Sequence, residues 1–246
     1  MRPTTASSLF DDAILVTGAG RRVGLHLARR LMRSGHPVIA HYRSRTEGID
    51  GLEQEGAVCV QADLAVNEDV ERLSATVRNV ARSLRAVVHN ASSFAVTAAD
   101  PREALVQLDL FYAVHMRAPF ALNLALADLL HRCSARHADI VHITDIYADK
   151  PNPVFDAYCA TKAGLQNLTL SLAKRLAPKI KVNAIQPGPI LFKEWHGPEA
   201  RTRVLAETPM GEEGGAEAIG LAVEAILANH YQTGAVVAVD GGRRLA

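Results

Sequence analysis

Short apolar runs alternate along this chain with longer stretches whose apolar positions recur at helical spacing. The runs at 13–18 (AILVTG), 36–42 (HPVIAHY), 57–63 (AVCVQAD), 85–91 (RAVVHNA), 139–145 (DIVHITD), 181–187 (KVNAIQP) and 235–242 (AVVAVDGG) have strand length, are mostly β-branched and end in turn formers. Each reads as a buried strand. Between them GLHLARRLMRSG, DVERLSATVRNVARS, the long EALVQLDLFYAVHMRAPFALNLALADLLHRC, AYCATKAGLQNLTLSLAKRLAP and AEAIGLAVEAILANH predict helices, with Gly35, Pro178 and Gly234 as stops. Seven strands alternating with helices predict an α/β fold, a doubly wound seven-stranded parallel sheet flanked by helices. No Gly-, Ser- or Pro-rich linker divides the chain and no repeat is visible, so residues 1–246 read as one domain. The stretch 190–215 is the one long irregular region. It follows a strand's carboxyl end, where such sheets bind ligands, and reads as a lid or as a surface insertion.

Composition narrows this picture without altering it. Hydrophobic residues make up 48% and charged residues 22%, as in ordinary globular proteins. A net charge of +1 gives no electrostatic case for nucleic acid or a membrane surface. Cys59, Cys133 and Cys159 are odd in number and widely spaced, which provides neither a disulfide framework nor a metal site and fits a reducing cytoplasm. The opening MRPTTASSLFDD has no apolar core of a signal peptide, and APFALNLALADLL is too short to span a bilayer. A cytoplasmic protein acting on a small molecule is the expectation.

The candidate chemistry begins where the first strand enters TGAGRRVG, residues 17–24. Glycines permit the sharp turn, and the helix that follows offers free N–H groups and a positive dipole end to a pyrophosphate, the Rossmann-type arrangement for a dinucleotide. Gly18, Arg21, Arg22 and Val23 fall on this turn; the two arginines read as phosphate partners or as solvated charge at a helix start. The second strand ends in HYRSRTEG. An NAD site wants an acid here for the ribose hydroxyls, whereas Tyr42, Arg43 and Ser44 would instead suit a 2′-phosphate, favouring NADPH. Asp63, followed by Leu64, ends the third strand where an acid often faces the adenine amine, and Asn90 and Ala91 would lie beneath the cofactor ribose.

Tyr158 and Lys162 are four apart on a predicted helix and share a face. An ammonium beside a phenol favours the phenolate, so Lys162 is expected to lower the Tyr158 pKa toward working pH and ready it for proton transfer. Asp145 lies thirteen residues before Tyr158. An ionised carboxylate only accepts hydrogen bonds and repels a developing oxyanion, so it serves a ketone poorly and a substrate bearing N–H donors well. The alternative is a structural Asp145, with Thr144 supplying a hydroxyl to a carbonyl substrate.

Taken together, Thr17–Gly24, Asp63, Asn90–Ser92, Tyr158/Lys162, Asn183, Pro187–Gly188 and the VDGG end at Asp240 resemble the short-chain dehydrogenase/reductase family over essentially the whole chain. That family commonly has serine where this chain has Asp145. Its pteridine reductase branch shares the departure, and TGAGRRVG, HYRS and HNASSF resemble that branch further, most nearly its bacterial dihydromonapterin-reducing members, which lack long insertions. The resemblance implies NADPH contacts at Gly18, Arg21, Arg22, Val23, Tyr42, Arg43, Ser44, Asp63, Leu64, Asn90, Ala91, Ser92, Tyr158, Lys162, Pro187 and Gly188. It implies catalysis by Asp145, Tyr158 and Lys162, and pterin contacts at Arg22, Ser92, Phe94, Asp145 and Tyr158. Phe94 would stack the pterin against the nicotinamide. No metal is implied, and a homotetramer paired through the long central helices is, with the apolar stripe from Leu105 to Leu130 as its interface. Where the wider family has an Asn in its proton relay this chain has His115, either a replacement or a packing residue. An NADP(H)-binding sensor without turnover is the non-enzymatic alternative.

Overall fold

The computed structural model describes residues 9–246; the first eight, which include most of the opening stretch read above as not a signal peptide, lie outside the described residues. Seven strands, β1 (Ala13–Val16), β2 (Val38–Tyr42), β3 (Val58–Gln61), β4 (Leu84–His89), β5 (Ala138–Ile143), β6 (Ile180–Pro187) and β7 (Val236–Val239), form one sheet. All neighbours pair in parallel, in the order β3-β2-β1-β4-β5-β6-β7. The predicted α/β sheet is present with every strand in place, although most strands stop two or more residues before their apolar runs do.

The continuous apolar runs have a direct cause. Successive strand residues point to opposite faces, and both faces are covered. Ala13 and Leu15 pack with α3 (Asn67–Val80), α5 (Ala118–Ala125) and α6 (Ala127–His131) on one side. Ile14 and Val16 pack with α1 (Arg22–Arg33), α2 (Glu47–Gln54) and α9 (Gly215–Ala228) on the other. A fully buried Leu or Ile of this kind contributes about 1.5–3 kcal/mol.

Three helical expectations need correction. Helix α2 was not predicted, because Gly48 and Gly51 lower its helix propensity; it forms with Thr46 as its N-cap, accepting from the Ile49 N–H. The long central helix is not one α-helix. After α4 (Pro101–Tyr112) comes a π-helical turn, Ala113–Arg117, then α5, a break at Leu126 and α6. Pro119 has no N–H for the His115 carbonyl one turn back and its ring crowds that carbonyl, so the turn widens there. The third correction is in 190–215, which is not irregular throughout: α8 (Pro198–Ala206) lies inside it.

The carboxyl ends of β1, β4, β5 and β6 open on the same side of the sheet, and helix α7 (Asp156–Leu176) runs alongside them. The candidate site is built there.

Candidate active site

A cavity of about 660 Å³ runs across these strand ends. The glycine turn forms one wall. Gly18 takes φ +68°, and a Cβ on it would stand 2.9 Å from Ala91 Cα; on Gly24 it would stand 2.1 Å from the Gly18 carbonyl. Only glycine lets turn, helix and β4 loop approach this closely. Asn90 locks the turn by donating to the carbonyls of Thr17 (3.0 Å) and Gly18 (3.1 Å), while Thr17 Oγ1 accepts from the N–H groups of Asn90 and Ala91, both at 3.0 Å.

His41, which the sequence reading did not single out, fixes the same turn from β2. Its Nδ1 accepts from the Gly18 N–H at 3.1 Å, so the ring proton sits on Nε2, 3.0 Å from the Ala62 carbonyl. Burial holds this imidazole at about 4, neutral at ordinary pH. A histidine in an otherwise apolar strand was the available signal.

Arg43 and Ser44 are exposed at the cavity edge, and among the described residues Arg43 forms no ion pair. Arg45 differs: Asp50 (2.7 Å) and Glu53 hold its guanidinium. Arg22, at the left-handed φ of +54°, reaches across the cavity and donates to the carbonyls of Leu191 (2.6 Å) and Phe192 (3.2 Å). A non-glycine residue in that region carries strain of about 1–3 kcal/mol. Asp63 Oδ1 accepts from the Ala65 N–H, and Tyr42, Leu64, Pro187 and Gly188 also line the cavity. Together the open turn, the free N–H end of α1 and an unpaired guanidinium fit an anionic dinucleotide.

The opposite end carries the titratable groups. Tyr158, buried on α7, donates its hydroxyl to Asp145 Oδ2 at 2.8 Å, while Asp145 Oδ1 accepts from the Tyr147 N–H at 2.9 Å. Burial, and after it the Asp145 charge, raises the Tyr158 phenol well above its ordinary value. Lys162 Nζ donates to the Ile143 carbonyl at 2.8 Å and lies 5.6 Å from the Tyr158 ring centre. Burial brings it down to about 8, with Asp145 opposing. The expectation that Lys162 would draw the phenol toward ionisation is therefore overturned: desolvation and the carboxylate outweigh the ammonium, and the phenol keeps its proton. Burial raises Asp145 as well, against the hydrogen bonds it accepts. The hydroxyl of Thr144 is turned away, donating to the Ile185 carbonyl at 2.9 Å.

Phe94 meets Tyr158 edge-on (4.8 Å between centroids) and stacks near-parallel with Trp195 at 6.0 Å. Lys193 Nζ, also missed in the sequence, lies 4.6 Å from the Phe94 ring centre. Ser92 faces the cavity and touches His115. The predicted residues thus line one cavity, with Arg22 occupied by the 190–196 segment.

A family model described as enoyl-(acyl carrier protein) reductase matches residues 18–244. The chain belongs to the short-chain dehydrogenase/reductase family. This reductase chain is 40% identical to a dihydromonapterin reductase of Enterobacter sp. (strain 638) over 233 residues, 94% of this chain and 96% of that protein. A dihydromonapterin reductase of Klebsiella pneumoniae is 39% identical over the same shares. Among solved structures, the FolM alternative dihydrofolate reductase 1 of Brucella canis, complexed with NADP, superposes with a TM-score of 0.85 at 31% identity, covering 98% of this chain and 97% of that one. In this reductase Asp145 and Tyr158 form a single hydrogen-bonded pair, so the departure from the family's usual serine is part of the site's geometry.

Proposed function

We propose that this chain is an NADPH-dependent pterin reductase, converting 7,8-dihydromonapterin to tetrahydromonapterin with weak activity on dihydrofolate. The observation that carries the reading is the Asp145 carboxylate, 2.8 Å from the Tyr158 hydroxyl, where a ketone reductase needs a donor. The names of the Enterobacter and Klebsiella relatives and the NADP in the Brucella structure support it.

When bound, NADPH supplies hydride to C6 of the dihydropterin C=N bond, and N5 takes a proton. Gly18, Arg21 and Val23 would hold the diphosphate, with Arg22 joining them where its guanidinium exchanges the Leu191 and Phe192 carbonyls for the phosphate. Tyr42, Arg43 and Ser44 read the 2′-phosphate, and Asp63 and Leu64 take the adenine end. Asn90, Ala91, Ser92, Tyr158, Lys162, Pro187 and Gly188 hold the nicotinamide half. Phe94 stacks on the pterin, with Arg22 and Ser92 at its polar edge. Tyr158 is the proton source: its raised pKa keeps the proton available at neutral pH. Asp145 orients N–H donors of the ring and shares the Tyr158 proton. Lys162 holds the nicotinamide ribose and offsets part of the Asp145 charge. Thr144 offers no hydroxyl for a carbonyl or acyl substrate, since that group is bonded to Ile185, which weighs against that rival.

The reading extends to one catalytic domain acting in the cytoplasm as a homotetramer. Support for assembly comes from the exposed apolar side chains Leu105, Val106, Tyr112, Phe120 and Leu124 on α4 and α5. Among the described residues no helix is long and apolar enough to cross a membrane. NADPH oxidation against dihydromonapterin, dihydrobiopterin, dihydrofolate and a ketone panel tests the activity. Turnover confined to ketones would refute it, and cofactor binding without any turnover would favour a sensor. Sedimentation as a monomer at micromolar concentration would refute the tetramer.

A further inference from the structure

His115 lies in the π-helical turn Ala113–Arg117, and its ring is buried. It stacks on Phe111 (5.7 Å, 14° between planes) and receives Tyr158 edge-on at 5.5 Å. Both ring nitrogens are engaged. Nδ1 lies 2.9 Å from Thr161 Oγ1; Nε2 accepts from the Ser93 N–H at 3.2 Å and lies 3.0 Å from Ser92 Oγ.

These partners fix the tautomer twice over. A backbone N–H only donates, so Nε2 must present its lone pair to Ser93. Thr161 Oγ1 spends its own proton on the Tyr158 carbonyl at 2.9 Å, so it can only accept from Nδ1, which carries the ring proton. Burial, and then the Lys162 charge, pushes the imidazole well below its ordinary range, so the ring stays neutral. A proton relay needs a nitrogen free to change state, and His115 has none.

The consequence falls on Ser92. Its hydroxyl lies 3.0 Å from the Nε2 lone pair, which it shares with the Ser93 N–H, and 3.4 Å from the Ser93 carbonyl, with the Tyr158 oxygen as a further acceptor beside it. The shortest of these contacts turns the Ser92 proton to His115, leaving the oxygen to face the cavity with lone pairs only. We propose that His115 is a positioning residue that sets Ser92 as a hydrogen-bond acceptor, so that Ser92 and Asp145 together select heterocycles rich in N–H donors over carbonyl compounds. The substrate class rests on the pterin reductase reading; the tautomer does not.

Two measurements test it. Nitrogen-15 NMR of the unaltered, ligand-free chain should show His115 as the neutral Nδ1–H tautomer, unchanged between about pH 5.5 and about pH 8. An Nε2–H tautomer, or titration in that range, overturns the proposal. In turnover, His115→Phe removes the acceptor and should lower kcat/KM for the dihydropterin roughly tenfold, through KM more than kcat, with the pH profile unmoved. His115→Gln, which keeps a carbonyl acceptor, should recover most of that loss. His115→Phe should cost nothing further in a Ser92→Ala background. Multiplicative losses in the double variant, a shifted pH profile, or a Gln variant no better than Phe would each overturn it. If the wild-type chain turned over no dihydropterin, the pterin reading would fail while the NMR measurement still decided the tautomer.

Discussion

Replacing Asp145 with Asn isolates the charge that separates this site from a ketone reductase. The substitution preserves shape and keeps the oxygen that accepts from the Tyr147 N–H, but turns the oxygen 2.8 Å from the Tyr158 hydroxyl into an NH₂ donor. The phenol must then swing its proton away and accept. The loss is one charge-assisted hydrogen bond, about 1.5–3 kcal/mol, and at about 1.36 kcal/mol per tenfold it lowers kcat/KM for the dihydropterin roughly ten- to a hundredfold. Asp145→Ser, whose shorter side chain reaches neither partner as well, should fall at least as far. NADPH affinity should hardly change, since the altered atom faces Tyr158 and not the glycine turn. Ionisation supplies a second signature. The Asp145 charge raises Tyr158 and opposes the burial that brings Lys162 down to about 8, so its removal lowers both. The alkaline limb of the pH–rate profile should therefore move to lower pH in Asp145→Asn. Steady-state NADPH oxidation across pH, with cofactor binding measured separately by fluorescence, gives both numbers. Full dihydropterin activity with an unmoved alkaline limb would show the carboxylate to be structural and refute the reasoning.

NADPH should be preferred over NADH by well over tenfold in kcat/KM, and Arg43→Ala should narrow that ratio, because a charged contact to a 2′-phosphate contributes about 1.5–3 kcal/mol; equal rates in the wild type would refute this. At the far end of the sheet, buried Asp139 pairs with Arg85 and with Lys181 (2.8 Å), and both cations also hold carbonyls at the end of α9. Asp139→Ala leaves two cations uncompensated and should cost about 3–5 kcal/mol, a fall in Tm of roughly 6–20 °C by thermal melt, with turnover intact below the melt. His41 and His89 are both held at about 4 by burial, against 6.5 when unfolded. Below pH 6.5 the unfolded chain takes up protons that the folded chain refuses until about 4, so stability is full above that window and falls through it. Denaturant melts at pH 5 should show a loss of about 2 kcal/mol per histidine relative to pH 7, and equal stability at the two pH values would refute the neutral assignment.

What could be read in the sequence followed what periodicity and motif spacing encode. Strands buried on both faces announce themselves as apolar runs, and the glycine turn, Asp145, Tyr158 and Lys162 lie in local motifs that fold into one cavity. Helix α2 was hidden by its glycines, while the break in the central helix carried a signal, Pro119, that the long run of helix-forming residues around it outweighed. The protonation of Tyr158 was misjudged for a different reason. Spacing puts an ammonium near the phenol, but only three-dimensional packing shows that desolvation and Asp145 act more strongly. His41 was marked only as a histidine in an apolar strand, and Lys193 reaches the cavity through tertiary contacts that no local pattern marks.

The π-helical turn at Ala113–Arg117 makes the site depend on residue count as well as residue identity. Each residue of an α-helix advances about 100° around its axis, so a widened turn carries one extra residue and resets the angular phase of everything after it. Phe111 and His115, one turn apart, both face Tyr158 on α7, and the widened turn sets the phase of α5 relative to them. Deleting a single residue between 113 and 117 would bring α4 and α5 into one phase and swing either His115 or the buried face of α5 by about 100°. Deleting Ala113, which does not line the cavity, removes no cavity side chain, yet where the swing falls on His115 it would release the Ser92 hydroxyl; the orientation of one proton is then stored in the length of the chain.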